Sequence, residues 1–128
     1  MRLLLDTHSF LWFISEDPKL SPRARQLIED PANDVLLSMA SVWEMAIKAG
    51  LGKLQFSQPF EVLVPAQIAL NAVELLPITL DHLIGVSRLP FHHRDPFDRL
   101  IVAQALTEKI AVVGTDSHFD LYGIERYW

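Results

Sequence analysis

The chain has 128 residues, half of them hydrophobic, and a formal net charge of −5, which predicts one domain with an apolar core, residues 1–128, and excludes two domains of ordinary size. The absence of cysteine excludes disulfides, thiolate catalysis and thiolate zinc sites. No apolar run approaches the roughly 20 residues that a membrane helix needs, and Met1 leads into a strand and not into an export signal, so we expect a cytoplasmic protein without a membrane partner.

The first half of the chain predicts two strand–helix units. An unbroken apolar strand, Arg2–Leu5, ends directly at Asp6, and a short buried helix follows over residues 10–14. Serine as N-cap and proline at the first helical position predict a second helix that starts at Ser21-Pro22. A strand over residues 35–38 then leads to a helix from Ser41 to Gly50.

The second half continues the alternation. The apolar spacing over residues 59–72 predicts a helix in which Pro65 either introduces a kink or marks the start, followed by a strand at 73–78 and a short helix capped by Thr79. The helix from Asp95 to Leu106 is apolar almost all round and should be buried against the sheet. A strand at 110–114, a turn or short helix through Asp120 and an edge strand near 124–128 complete a predicted three-layer α/β/α fold with a mostly parallel central sheet.

Four acids are predicted at one edge of this sheet. Asp6 and Asp116 follow strands that would bring them a few ångströms apart if the strands are neighbours, while Glu44 and Asp98 lie in the first turns of helices. All four therefore belong to the carboxyl ends of the strands, where α/β folds form their sites. Each helix acid also has a structural interpretation, because Ser41-x-x-Glu44 matches a capping box and an acid near a helix start interacts favourably with the helix dipole.

Carboxylates crowded together raise one another's pKa unless a cation neutralises them. Hard oxygen ligands select Mg²⁺ or Mn²⁺, and the chemistry indicated is metal-assisted hydrolysis of a phosphodiester. The acidic net charge argues mildly against a nucleic-acid partner, but this argument weakens if four acids are metal ligands.

The remaining polar candidates stay open at this stage. No HExxH pair exists, and the adjacent His92 and His93 in a loop are more typical of surface or substrate contacts than of metal ligands. Arg94, Arg99 and Lys48 are near the acids in sequence and could hold phosphates or pair with the acids.

These motifs resemble those of the PIN-domain ribonucleases, and most closely the toxins of VapBC-type toxin–antitoxin pairs. The resemblance spans the chain and is carried by Leu4-Leu5-Asp6-Thr7-His8, Ser41-x-Trp43-Glu44-x-x-Ile47-Lys48, Asp95-Pro96-Phe97-Asp98-Arg99-Leu100-Ile101-x-Ala103-Gln104-Ala105 and Thr115-Asp116-x-x-Phe119.

The resemblance implies a Mg²⁺- or Mn²⁺-dependent endoribonuclease that hydrolyses RNA, forms a homodimer and is inhibited by an antitoxin whose C-terminal segment enters the active-site groove. It implies Asp6, Glu44, Asp98 and Asp116 as catalytic residues and metal ligands. Thr115 matches a hydroxyl position next to the last acid and is given a supporting role. Asp95, which many members lack, is also a supporting candidate, although the residues themselves predict it as the N-cap of its helix.

Three alternatives remain. A receiver-like signalling domain needs paired acids after the first strand and a late lysine, where this chain has Thr7-His8 and Thr115-Asp116. A phosphatase with an Asp-x-Asp nucleophile motif has the same difficulty at His8. A catalytically silent PIN-fold module that only binds RNA or protein usually lacks some of the acids, and this chain keeps all four.

Overall fold

The structure, a computed structural model, describes residues 1–128, in which strands and helices alternate. The five strands are β1 Arg2–Leu5, β2 Asp34–Ser38, β3 Glu74–Leu76, β4 Ala111–Val113 and β5 Arg126–Tyr127. The helices are α1 Thr7–Ile14, α2 Pro22–Glu29, α3 Met39–Gly50, α4 Phe60–Leu70, α5 Leu80–Arg88 and α6 Pro96–Glu108, with a 3₁₀ helix at Ser117–Tyr122. No helix among them meets the length and hydropathy of a bilayer-spanning segment.

All five strands are parallel, in the order β3-β2-β1-β4-β5. The first strand is central because Leu3, Leu4 and Leu5 are apolar on both faces, and all three are fully buried. The chain moves outward from β1 through β2 to β3, then returns to place β4 on the other side of β1. This reversal puts the topological switch point, where such folds form their sites, between β1 and β4.

Helices cover both faces of the sheet. On one face Leu3 and Leu5 pack in a cluster with side chains from α1 to α4, including Phe10 and Met45. On the other face Leu4 packs in a second cluster with α6 and the 3₁₀ helix. The predicted three-layer fold is therefore confirmed, and the sheet, expected to be mostly parallel, is entirely so.

Most helix starts follow the predicted caps. The Ser21 side chain accepts from the backbone N–H of Ala24, Thr79 accepts from that of His82, and Asp95 accepts from those of Phe97 and Asp98.

Three boundaries differ from prediction. α1 begins at Thr7 and not at residue 10, because the Asp6 side chain caps it by accepting from the backbone N–H of Ser9. Pro65 lies inside α4, which begins at Phe60. The strand predicted at 73–78 is paired only over Glu74–Leu76.

The capping box predicted at Ser41-x-x-Glu44 is wrong. α3 begins at Met39, and its N-cap is Ser38, whose hydroxyl accepts from the backbone N–H of Ala40 at 2.9 Å. Ser38 is both the last residue of β2 and the N-cap of α3, so no connecting loop separates the two elements. Ser41 and Glu44 consequently lie within the helix.

Candidate active site

Asp6 and Asp116 lie at the carboxyl ends of the neighbouring strands β1 and β4. The backbone N–H of Asp6 donates to the carbonyl of Val113 at 3.1 Å, which ties the two strand ends together. The Asp6 side chain is buried, with Oδ1 accepting from the backbone N–H of Ser9 at 2.8 Å. Its other oxygen, Oδ2, packs against Gly114 so closely that a Cβ at that position would lie 2.6 Å from it.

Burial raises the pKa of the Asp6 carboxyl. The hydrogen bonds from Ser9 and the charge of His8 oppose this rise, while the negative charge of Asp116 adds to it. Ionised Asp6 is therefore held at a cost in free energy that a nearby positive charge would relieve.

Glu44 is 6% exposed and has two partners. Thr7 Oγ1 donates to Glu44 Oε1 at 2.7 Å and also lies 2.9 Å from the Ser41 hydroxyl. Lys48 Nζ, one helical turn along α3, donates to Glu44 Oε2 at 2.8 Å. These contacts tie α1 to α3 and occupy both carboxylate oxygens.

Asp98 lies in the first turn of α6, where Asp95 is the cap. Asp95 Oδ1 accepts from the backbone N–H groups of Phe97 at 2.8 Å and Asp98 at 3.3 Å. The backbone N–H of Asp98 thus donates to the cap, and the Asp98 carboxylate itself takes no part in capping the helix. Burial, followed by the charges of Asp95, Glu44 and Asp6, raises the pKa of Asp98 to about 6, against a lowering contribution from His93.

Both carboxylate oxygens of Asp116 have hydrogen-bond partners. Its Oδ1 accepts from the backbone N–H of His118 at 3.0 Å and lies 3.0 Å from His118 Nδ1, while Oδ2 lies 2.7 Å from His93 Nε2. Burial acts to raise the pKa of Asp116, but these hydrogen bonds outweigh it and hold the pKa below its ordinary value.

We call Asp6, Glu44, Asp98 and Asp116 the acidic edge, because they belong to the carboxyl ends of the strands and influence one another electrostatically. In residues 1–128 no three carboxylate or imidazole groups converge closely enough to hold a metal ion. Lys48 engages Glu44, and two imidazoles engage Asp116. The other two acids, Asp6 and Asp98, have raised pKa values.

The donor chemistry of the acidic edge nevertheless fits a hard divalent cation. Carboxylate oxygens are the ligands that Mg²⁺ and Mn²⁺ prefer, and two of the four groups are ionised at a cost that such an ion would remove. Gly114 also leaves space for the Asp6 carboxylate that any side chain would fill.

The other candidates occupy different positions. Thr115 and Arg94 are exposed next to the site. Arg99 is 8% exposed and donates to the carbonyls of Pro90, Val86 and Leu89, so it holds the loop before α6 and pairs with none of the acids. Lys48 pairs with Glu44, one of the two roles considered for it.

His93 is one of two histidines, with His118, that sequence reasoning left unassigned and that the structure brings into contact with Asp116. It contacts Asp116, 23 positions later, and Tyr122, 29 positions later. No periodicity or local motif links residues at such separations. The one available signal is its place two residues before the Asp95 cap.

Comparisons with known proteins agree with the fold. A family model described as PIN domain matches residues 3–125. Over 58 residues the chain is 38% identical to ribonuclease VapC16 of Mycobacterium tuberculosis. That match covers 45% of this chain and 40% of the relative, so the aligned part spans less than half the length of this curated protein.

Solved structures with similar folds include the following three. VapBC2 from Rickettsia felis, bound to a DNA fragment from its promoter, matches with a TM-score of 0.72 and 16% identity over 99% of this chain and 98% of that chain. FitAcB from Neisseria gonorrhoeae matches with 0.68 and 20% over 98% and 96%. VapBC-1 from nontypeable Haemophilus influenzae matches with 0.67 and 18% over 99% and 97%. At these identities the likeness is one of fold.

Proposed function

Because the chain belongs to the PIN-domain family, we propose that it is a metal-dependent endoribonuclease, the toxin component of a type II VapBC toxin–antitoxin pair. The observation that carries the proposal is the acidic edge at the switch point between β1 and β4. The ribonuclease similarity over 58 residues supports the same activity. We further propose that residues 1–128 act as one PIN-like domain in the cytoplasm, where RNA is available as substrate.

We propose that Asp6, Glu44, Asp98 and Asp116 hold Mg²⁺ or Mn²⁺. When bound, such an ion would supply positive charge to stabilise the scissile phosphate and would lower the pKa of water, so that a hydroxide nucleophile is available near neutral pH. Hydrogen bonds from Thr7 and Lys48 orient the Glu44 carboxylate. Asp95 caps α6, so the Asp98 carboxylate is not used in capping. The exposed Thr115 hydroxyl next to Asp116 is proposed to support substrate binding.

The experiment is RNA cleavage by Asp98→Asn. This change keeps the size of the side chain and removes one ligand charge, so cleavage should fall at least ~100-fold, about 2.7 kcal/mol of transition-state stabilisation. Asp95→Asn is the matched control: it makes the same chemical change three residues away and keeps an effective N-cap. Chelation with EDTA should abolish cleavage by the parent protein.

A parent-like rate for Asp98→Asn, with Asp95→Asn inactive, would contradict the assignment of the third acid. A parent protein that cleaves RNA at full rate in EDTA would contradict the proposed metal.

We propose an antitoxin as the protein partner. A groove of about 580 Å³ runs between α1, the end of α3 and α4, and its lining includes His8, Lys48, Trp12 and Phe56. Since His8 and Lys48 are close to Asp6 and Glu44 in the fold, a peptide in this groove can reach the acidic edge. An arginine of that peptide suits the carboxylates, because its fork can bridge two of them.

An antitoxin encoded by a neighbouring reading frame would provide the test. A C-terminal peptide of that protein should lose affinity when both Asp6 and Asp116 are changed to asparagine. Equal binding by the parent and the double variant would show that the peptide docks elsewhere.

We also propose a homodimer. Met39, Trp43 and Ile47 recur every fourth residue along α3 and are 37%, 57% and 38% exposed. Leu80 and Leu83 of α5 are 73% and 49% exposed. Apolar side chains exposed in this way on two helices are typical of a surface that is covered by another chain.

A catalytically silent RNA- or protein-binding module is the second candidate. It is favoured by the engagement of both Glu44 carboxylate oxygens by Thr7 and Lys48, together with the finding that no three carboxylate or imidazole groups in residues 1–128 converge on a metal site. The cleavage assay in Mn²⁺ decides between the two. A receiver-like domain is not supported, since flavodoxin-like folds have the strand order 2-1-3-4-5 and this sheet has β3-β2-β1-β4-β5.

A further inference from the structure

His93 joins the segments that carry the last two acids of the acidic edge. It comes from the loop before α6, and its side chain is only 9% exposed. Its Nε2 lies 2.7 Å from Asp116 Oδ2, and its Nδ1 lies 2.9 Å from the hydroxyl of Tyr122. Because both ring nitrogens are engaged, the imidazole cannot turn without losing a hydrogen bond.

Aromatic contacts fix the plane of the same ring. The His93 ring stacks on Phe119, with centroids 5.0 Å apart and planes 28° apart, and on Tyr122, at 5.5 Å and 19°. Phe119 is 1% exposed and belongs to the core cluster under the sheet. The position of the imidazole is thus set by the packed interior and not by a mobile loop.

The orientation of the two hydrogen bonds follows from the partners. An ionised carboxylate only accepts, so Nε2–H donates to Asp116, and in a neutral imidazole Nδ1 then accepts from the Tyr122 hydroxyl. Each carboxylate oxygen has two acceptor positions, so this bond leaves room for a cation on Asp116. Hydrogen bonds to a carboxylate ligand from outside the metal site orient it and tune its affinity.

We propose that His93 is a positioning residue that holds the Asp116 carboxylate in one orientation at the acidic edge, with Tyr122 as its anchor. The inference rests on the proposed function, because the orientation of Asp116 matters to catalysis only if the acidic edge binds a metal. His118 also contacts Asp116, but its side chain is 66% exposed. It therefore serves as a natural control for a contact that is not held in place.

The test separates the hydrogen bond from the packing of the ring. His93→Phe keeps an aromatic ring for the stack and removes the donor, His93→Gln keeps a side-chain N–H donor, and Tyr122→Phe removes only the anchoring hydroxyl. His118→Ala removes the exposed contact. For each variant we would measure Mn²⁺ binding by calorimetry with the metal alone, kcat and KM for RNA, and urea unfolding in EDTA.

His93→Phe is expected to weaken Mn²⁺ binding by roughly 10–100-fold and to lower kcat similarly, with KM for RNA changing less than about threefold. His93→Gln should recover most of the loss, Tyr122→Phe should weaken Mn²⁺ binding roughly three- to tenfold, and His118→Ala should stay within about threefold of the parent. A folded His93→Phe with parental Mn²⁺ affinity would overturn the proposal and leave the ring a packing role only. If that variant does not fold, parental Mn²⁺ affinity in Tyr122→Phe would overturn it equally.

A double-mutant cycle in EDTA keeps this inference separate from the proposed function. It combines His93→Phe, or Tyr122→Phe if the former does not fold, with Asp116→Asn and compares unfolding free energies. Non-additive effects support the proposed contact, and additive effects overturn it. A parent protein that binds no Mn²⁺ would refute the metal-dependent function, while the cycle would still decide whether His93 holds Asp116.

Discussion

Replacing Asp98 by asparagine is expected to stabilise the metal-free protein at high pH and to change its stability little at low pH. Burial and the neighbouring acids raise the pKa of Asp98 from 3.8 to about 6. The folded chain therefore binds this proton more tightly than the unfolded chain, and the parent protein loses stability as the pH rises through the interval from about 4 to 6. Asparagine is neutral at every pH, so the variant does not acquire the destabilising charge that Asp98 gains when it ionises.

The magnitude follows from the same pKa. The difference between 3.8 and about 6 corresponds to roughly 3 kcal/mol if it is fully realised. Asp98 is only partly buried, and solvent screening reduces this to about 1–2 kcal/mol. Above pH 7 the variant should be more stable by that amount, a rise in Tm of roughly 3–8 °C for a chain of this size. At pH 4 the gain should shrink to a few tenths of a kcal/mol.

The assay is urea unfolding in EDTA at pH 4, 6 and 8. Asp81→Asn is the control, because Asp81 is also an acid in the first turn of a helix but is exposed. Its effect should be a few tenths of a kcal/mol, with no rise in stability between pH 4 and 8. A gain for Asp98→Asn that is equal at all three pH values, or a loss at pH 8, would refute the electrostatic reasoning.

Four further outcomes are expected. Asp95→Ala should lose roughly 1 kcal/mol of unfolding free energy in urea, since it removes the N-cap of α6, while keeping much of its RNA cleavage. Millimolar Mg²⁺ or Mn²⁺ should raise the Tm of the parent more than that of Asp98→Asn, and an unchanged parental Tm would count against a four-carboxylate site. Gly114→Ala should cost about 1–3 kcal/mol and at least tenfold in cleavage, because the added Cβ would lie 2.6 Å from Asp6 Oδ2; Gly50→Ala, which meets nothing within 4 Å, is the control. Light scattering at micromolar concentration should give twice the mass of the 14.5 kDa chain, and a result of one chain would remove the proposed homodimer.

The strand ends were predictable because a parallel strand that is buried on both faces has an unbroken apolar run in its sequence. The leucines before Asp6 and the valines before Gly114 are such runs, and their pairing brings Asp6 and Asp116 together. The Asp95-Pro96 cap was predictable for a local reason, since it depends on adjacent residues alone.

The start of α3 was not predictable from the same rules. Both Ser38 and Ser41 are good N-caps, and the choice between them depends on where β2 stops pairing with β3. With Ser38 as the cap, Ser41 lies inside the helix, and its hydroxyl lies 2.9 Å from Thr7 Oγ1. The end of β2 therefore decides whether Ser41 caps the helix or packs within it.

The role of His93 lay beyond sequence reasoning for a related reason. Its partners come from the end of β4 and from the 3₁₀ helix, and they meet it only after the sheet has brought those segments beside the loop. A histidine pair in a loop with two prolines nearby gives no local indication of such contacts.

The central place of β1 has a consequence for the timing of synthesis. One of its two neighbours, β4, is made more than a hundred residues later: the hydroxyl of Ser9 donates to the carbonyl of Val113, 104 positions along the chain. A nascent chain can therefore pair β1 with β2 early but cannot complete the crevice between β1 and β4 until residues 111–113 have left the ribosome. Pairing over so long a loop is also slow to form, because its closure entropy must be overcome before the contacts stabilise it. The crevice that holds the proposed active site is thus among the last parts of the fold to form, and cleavage activity is expected only after most of the chain has been made.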